Sequence, residues 1–254
     1  MTEWMADHEQ RAAALGIALG ELERRLGALE AGRVAVADWR DSRATVRCDG
    51  AAADGAAGGG DVGVAERACL AACVAAGLRH FRLYVAPPDY YARSLEQRRV
   101  LLGARSAAEL CKTLVVENTR WEASAGEGAP RFFAFVLQYV RRFSKPKAER
   151  AVHAAYASRG LSAAKAVNLT MAAAEDSERV TGYSYGSVTI VGWKTPLPIL
   201  LDRNAHALPE IILGGGHMDL KLRLDCAEFA AALPECTVAD VTEDDGSSDE
   251  DEER

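Results

Sequence analysis

The chain has 254 residues, 49% of them apolar, with a formal net charge of −7 and six cysteines. That composition suits a globular protein with a sizeable core, and no run of about 18 apolar residues exists to cross a membrane. From Glu243 onward eight acids and one Arg account for −7 by themselves, so residues 1–242 are close to neutral and lack the basic footprint of a bulk nucleic-acid binder.

The N-terminus has neither the basic start nor the apolar core of a signal peptide. Cys48, Cys69, Cys73, Cys111, Cys226 and Cys236 follow no framework spacing, so reduced thiols and a cytoplasmic setting are expected.

Residues 9–31 read as a helix, because Ala12, Leu15, Leu19, Leu22, Leu26 and Leu29 recur at spacings of three and four. Its narrow seam suits either a helix lying on its own domain or one that docks a partner, a synthetase or a second copy. Residues 49–63 are Gly/Ala-rich and read as a linker between an N-terminal extension, 1–48, and a domain over 64–242.

Within that domain the pattern predicts a helix from Val64 to Ala76 stopped by Gly77, a strand Phe81–Val85, and a helix Leu95–Leu102 closed by Gly103. Ser106 and Glu109 have the spacing of a capping box. A β-branched run, Lys112–Val116, opens on a single Lys, and a loop follows over Asn118–Pro130. Arg131–Tyr139 reads as a strand, Lys145–Ser158 as a helix stopped by Gly160, Val167–Met171 as a strand and Ala172–Val180 as a helix delivering Thr181. A Pro-flanked apolar run, Leu197–Leu201, and an alternating strand to Leu224 come next. A helix, Cys226–Leu233, and a strand, Thr237–Val241, close the domain. The acidic residues 243–254 read as a tail disordered by composition. Short strands and helices alternate irregularly, which gives an α+β fold with a mixed sheet.

Conventional catalytic patterns fail on inspection. Gly182-Tyr183-Ser184-Tyr185-Gly186 matches the G-x-S-x-G elbow, but that motif needs a strand entering the Ser and a helix leaving it. Here a helix enters, and Ser187–Val191 leaves as strand or turn. Cys69 and Cys73 share a helix face as packing thiols, and His206 and His217 lack a partner at zinc spacing, so no metal is expected. Gly214-Gly215-Gly216 has no following Lys-Ser/Thr and is no nucleotide cradle. Lys112 remains: at the start of an apolar strand it is either a snorkelling edge charge or three donors aimed at an anionic or carbonyl ligand.

Three segments together amount to a family likeness. Cys111-Lys112-Thr113-Leu114-Val115-Val116-Glu117-Asn118-Thr119, then Thr181-Gly182-Tyr183 with Gly186-Ser187-Val188-Thr189, then Gly214-Gly215-Gly216 before Asp219-Leu220-Lys221-Leu222, resemble the YbaK/ProX aminoacyl-tRNA editing family. The likeness runs from about Leu78 to Val241. The Tyr84–Leu102 segment, with Asp89-Tyr90-Tyr91, looks like the eukaryotic branch, which often carries an N-terminal helical extension.

The resemblance implies an α+β fold around a mixed, partly barrel-like sheet and hydrolysis of the ester in a mischarged aminoacyl-tRNA. A small amino acid on tRNA for proline is the implied substrate. No cofactor is implied, because the terminal ribose hydroxyl of the substrate is thought to assist. On this likeness Lys112, Gly186, Ser187 and Val188 are the catalytic positions. Thr181, Gly182, Tyr183, Thr189, Gly214, Gly215, Gly216, His217 and Asp219 bind the aminoacyl-tRNA 3′ end.

One departure stands out. Bacterial relatives carry Gly-x-x-x-Pro, and aligned on Gly186 the proline position holds Ile190. The rival reading, a tRNA- or synthetase-binding module without the reaction, rests on that residue and on the extension.

Overall fold

The computed structural model describes residues 45–49, 62–121, 129–161 and 167–244. The predicted seam of residues 9–31, most of the 49–63 linker and residues 245–254 lie outside the described residues.

Two sheets carry the fold. The first has four strands in the order β1 (Val46–Arg47), β2 (Phe81–Val85), β9 (Leu220–Asp225) and β8 (Glu210–Gly214). β1 runs parallel to β2, and the other pairings are antiparallel. The second has the order β10 (Cys236–Ala239), β7 (Ile199–Asp202), β4 (Phe132–Gln138), β3 (Cys111–Asn118) and β6 (Leu169–Met171). It is mixed: β4, β7 and β10 are parallel, while β3 is antiparallel to β4 and β6. A bridge between Leu110 and Ile212 brings β8 beside the start of β3, so the sheets meet along one edge without closing a barrel. A two-stranded ribbon, β5 (Arg141–Phe143) with β11 (Thr242–Asp244), completes the set.

The core between the sheets is built as the apolar runs predict. β4 is buried along its whole length, as a central strand should be, and its Phe133 and Phe135 meet Tyr156 and Phe143 edge to face at 5.6 and 5.2 Å. Helix α1 (Val62–Ala75) lays Cys69 and Cys73 into the larger core, and Gly77 follows it with Leu78 N–H bonded to Cys73 O in a Schellman stop. Helix α2 (Leu95–Leu101) has a complete capping box from Ser94 and Gln97. Its end is held by Arg223, which is fully buried, lies 3.9 Å from buried Glu210, and donates to the carbonyls of Leu102 and Gly103 at 2.9 and 3.0 Å. Helices α3 (Lys145–Ser158), α4 (Ala174–Thr181), α5 (Arg203–His206) and α6 (Cys226–Ala232) complete the shell. Among the described residues no helix is long and apolar enough to cross a membrane.

Several boundaries move from their predicted places. The folded domain reaches back to Val46, because β1 adds to β2, and α1 begins at Val62, inside the expected linker. Glu243 and Asp244, placed in the acidic tail by composition, are strand residues paired with Arg142 and Arg141. The Ser106 hydroxyl accepts from Ala108 N–H, but Glu109 turns to Arg105 N–H, so Ser106 caps one 3-10 turn, Ala107–Glu109, and no reciprocal box forms. Ser187–Val191 makes no strand.

Candidate active site

A cavity of about 730 Å³ opens between β3, the N-terminal end of α4 and two glycine-bearing loops. Its wall along β3 runs from Cys111 to Val115 and includes Lys112. Tyr185, Gly186 and Val188 contribute from the first loop, Gly214 and Met218 from the second, and Tyr91 and Tyr139 from outside both.

The first loop begins where α4 stops. Gly182 takes the left-handed conformation at the helix end. The hydroxyl of fully buried Thr181 donates to Ser177 O at 2.7 Å and accepts Tyr183 N–H at 3.1 Å, so the exit direction is fixed. A tight turn follows: Ser187 N–H and Oγ both donate to Ser184 O, at 3.1 and 2.8 Å. Beyond it Trp193 Nε1 donates to Thr189 O at 2.7 Å and Tyr183 OH to Val191 O at 2.9 Å. Ile190, the departure from the family proline, is buried in the main core and does not line the cavity. Those two side-chain bonds and the buried Ile190 tie this stretch to the core.

The second loop is stitched to the first. Gly216 N–H donates to Ser187 O at 3.0 Å. At Gly214 a Cβ would lie 2.6 Å from Val188 O, so only glycine lets the two backbones approach this closely. His217 and Asp219 are buried behind the loop, with Asp219 N–H donating to His217 Nδ1 at 3.1 Å and Ala86 N–H to Asp219 O at 2.7 Å. Of the residues the likeness assigned, Lys112, Gly186, Val188 and Gly214 therefore line the cavity, while Thr181, Gly182, Tyr183, Ser187, Thr189, Gly215, Gly216, His217 and Asp219 frame its loops from behind.

Two features of the wall suit an ester. The N–H groups of Gly186 and Val188 donate to no acceptor among the described residues, whereas that of Ser187 is committed to Ser184. The Thr113 hydroxyl is buried at the wall, also with no hydrogen-bond partner among the described residues. Beside them stands a cluster of three tyrosines and three cations. Arg98 lies 5.4, 5.5 and 5.9 Å from the rings of Tyr90, Tyr91 and Tyr139, Lys112 Nζ 5.4 Å from Tyr139, and Lys221 Nζ 4.3 and 4.4 Å from Tyr90 and Tyr91. Burial pushes the Lys221 ammonium down to about 7, opposed by the nearby Asp219 carboxylate. Among the described residues no three His, Cys, Asp or Glu side chains gather as a metal site, and the six thiols are free.

Residues 100–232 match the model of the aminoacyl-tRNA editing domain, a little over half of the chain. The chain belongs to this family.

Solved structures agree with the editing-domain fold. A crystal structure of a protein proposed as a trans-editing enzyme for prolyl tRNA synthetase is 25% identical, with a TM-score of 0.55, over 70% of this chain and 97% of that one. A scaffold protein used for computational epitope grafting is 24% identical, TM-score 0.54, with the same coverage. A hypothetical protein is 24% identical, TM-score 0.50, over 67% of this chain and 96% of its own. No curated protein is similar enough in sequence to count as a relative.

Sequence reasoning missed Tyr139, which lines the cavity, and Lys221, which bonds to its lining residues Tyr91 and Met218 from behind. Lys221 lies in the alternating run Leu220-Lys221-Leu222-Arg223-Leu224, whose polar members read as a solvated face, yet the structure buries both. Tyr139 falls at the end of a strand and carried no motif. The signal that could have exposed Lys221 is the tyrosine-rich Tyr84–Tyr91 segment, which needs a face to cover.

Proposed function

We propose that this protein is a trans-acting deacylase that hydrolyses the ester of mischarged aminoacyl-tRNA. We assign it a small amino acid on tRNA for proline, in the cytoplasm. The observation that carries the reading is that Lys112, Gly186 and Val188 line one cavity, and that the N–H groups of Gly186 and Val188 have no acceptor among the described residues.

In this mechanism the exposed 3′ end enters as a single strand, which suits a neutral body better than groove binding would. Lys112 supplies a positive charge to the backbone of that end. The carbonyl carbon is attacked by water, with the terminal ribose hydroxyl assisting. Negative charge develops on the carbonyl oxygen, where the N–H groups of Gly186 and Val188 stabilise it. The C–O bond to the ribose then breaks, the ribose oxygen takes a proton, and free amino acid leaves. An aminoacyl ester is already activated, so no nucleophilic side chain is required.

The test is deacylation by the purified full chain against a panel of mischarged tRNAs. The expected result is hydrolysis above buffer for at least one small amino acid on tRNA for proline. Lys112→Ala should lower kcat/KM on that pair by roughly 100-fold, the size seen when one preorganised electrostatic contact is removed. Equal rates for protein and buffer on every pair, or for Lys112→Ala and wild type, would overturn the reading. We further assign the Leu15–Leu29 seam to docking on a synthetase or on a second copy. Sedimentation of the full chain as a lone monomer, alone and with prolyl-tRNA synthetase, would reject that assignment.

A further inference from the structure

Lys221 is the second residue of β9, between Tyr84 of β2 and Gly214 of β8, with only 3% of its surface exposed. Its ammonium donates to Met218 O at 2.6 Å and to the Tyr91 hydroxyl at 3.1 Å. Tyr91 OH in turn donates to Gly186 O at 2.9 Å. Met218 belongs to the second loop and Gly186 to the first, so one buried cation reaches both. Tyr91 lies on a 3-10 turn, Tyr90–Ala92, upstream of the matched family region, 100–232. A segment outside that region thus supplies a wall of the cavity.

The direction of the chain of bonds follows from charge. An ammonium has three donors and no acceptor. Facing it, Tyr91 offers Lys221 an oxygen lone pair and gives its proton to Gly186 O, with the Tyr139 side chain beside it. A neutral amine could instead accept that proton and release the loop.

We propose that Lys221, acting through Tyr91, is the positioning residue that holds the two glycine loops of the site in register. Its consequence for rate rests on the deacylase reading above; its consequence for loop order does not. The charged and titratable groups around Lys221 are Asp219 from its own loop, Tyr84 from β2, Cys48 after β1, Tyr90 and Tyr91 from the 3-10 turn and Arg98 from α2. Asp219 and Cys48 favour the charged amine, while burial and Arg98 oppose it.

The experiment combines amide hydrogen exchange with kinetics on the full chain, for wild type, Tyr91→Phe and Lys221→Gln. Tyr91→Phe removes one oxygen and keeps the ring, so it guards against a Lys221 variant that simply fails to fold. It should raise exchange over residues 183–188 and leave 214–218 unchanged. Its kcat should fall roughly tenfold with KM nearly constant, as for one lost orienting hydrogen bond. Lys221→Gln should raise exchange in both loops, and the wild-type advantage over it in kcat should shrink as pH rises through about 7. Wild-type exchange in both variants overturns the proposal, as does raised exchange with unchanged kcat, or a kcat loss without an exchange or pH difference. If wild type hydrolyses no substrate, the deacylase reading falls and exchange alone decides: loosened loops sustain the clamp, unchanged loops refute it.

Discussion

Gly186 is a tight position in the first loop. Its φ of +78° is a conformation that L side chains rarely adopt, and a Cβ would stand 2.8 Å from the Met218 sulfur. Gly186→Ala should therefore cost about 1–2 kcal/mol in urea unfolding and remove most deacylation, because the strain falls on the donor-bearing loop. Tyr185, one residue earlier, is 87% exposed at the cavity rim, an unusual place for a ring with no packing role. If the proposed deacylation holds, this ring is placed to stack on the terminal base of the substrate. Tyr185→Ala should raise KM roughly tenfold, as for one lost base stack, and Tyr185→Phe should stay near wild type. Equal KM for Tyr185→Ala and wild type would reject that role. That Lys112, Gly186 and Gly214 would come together could be anticipated from sequence because they sit in motifs. The burial of Ile190 and Lys221 could not, since it depends on partners more than a hundred residues away or on which face of a loop packs inward.

Elements were legible where one strong period rules. The helix Lys145–Ser158 and the strand Phe81–Val85 fall where the pattern puts them. Of those that were missed, β8 is a five-residue apolar strand that carried no assignment, and β5 and β11 are short and polar. β5 and β11 have three residues each, and their acidic and basic residues look solvated until they pair across the ribbon.

One buried side chain joins that ribbon to the second sheet. Asp202 ends β7 and caps α5 through Asn204 N–H, at 2.9 Å, while its other oxygen accepts from Val241 N–H at 3.2 Å and from the Thr242 hydroxyl at 3.0 Å. Replacing it strands several buried donors. Asp202→Ala should lower unfolding free energy by about 2–4 kcal/mol, and Asp202→Asn by less. A change under about 0.5 kcal/mol, the range of surface substitutions, would show that the network contributes nothing net.

At the scale of the molecule, the α+β class and mixed sheet were readable from the irregular alternation of strands and helices. The strand order was not, because β4–β7–β10 pairs segments far apart in the chain and leaves no local signature. The whole molecule also titrates through its buried groups. The folded pKa of Lys221, about 7, lies below its unfolded value of about 10.4. Between these values the unfolded chain binds more protons, so stability rises with pH. Burial pushes the Cys48 thiol up to about 11 and those of Cys226 and Cys236 up to about 12, which reverses the sign once unfolded thiols titrate near pH 8.5. Urea midpoints should therefore climb from about pH 7 to 8.5, by on the order of 1 kcal/mol, and stay level in Lys221→Met. Parallel slopes in the two proteins would rule Lys221 out as the source.

The strand order has one more consequence, for how the protein is made. β7 is buried along its length, and among the described residues its outer edge is covered by β10, which begins at Cys236. During synthesis β7 leaves the ribosome well before the residues that cover it. In that interval an apolar strand with bare N–H and C=O groups stands open to any neighbouring nascent chain. A chain cut before Cys236 would leave that edge without β10, and it should aggregate more readily than the full chain.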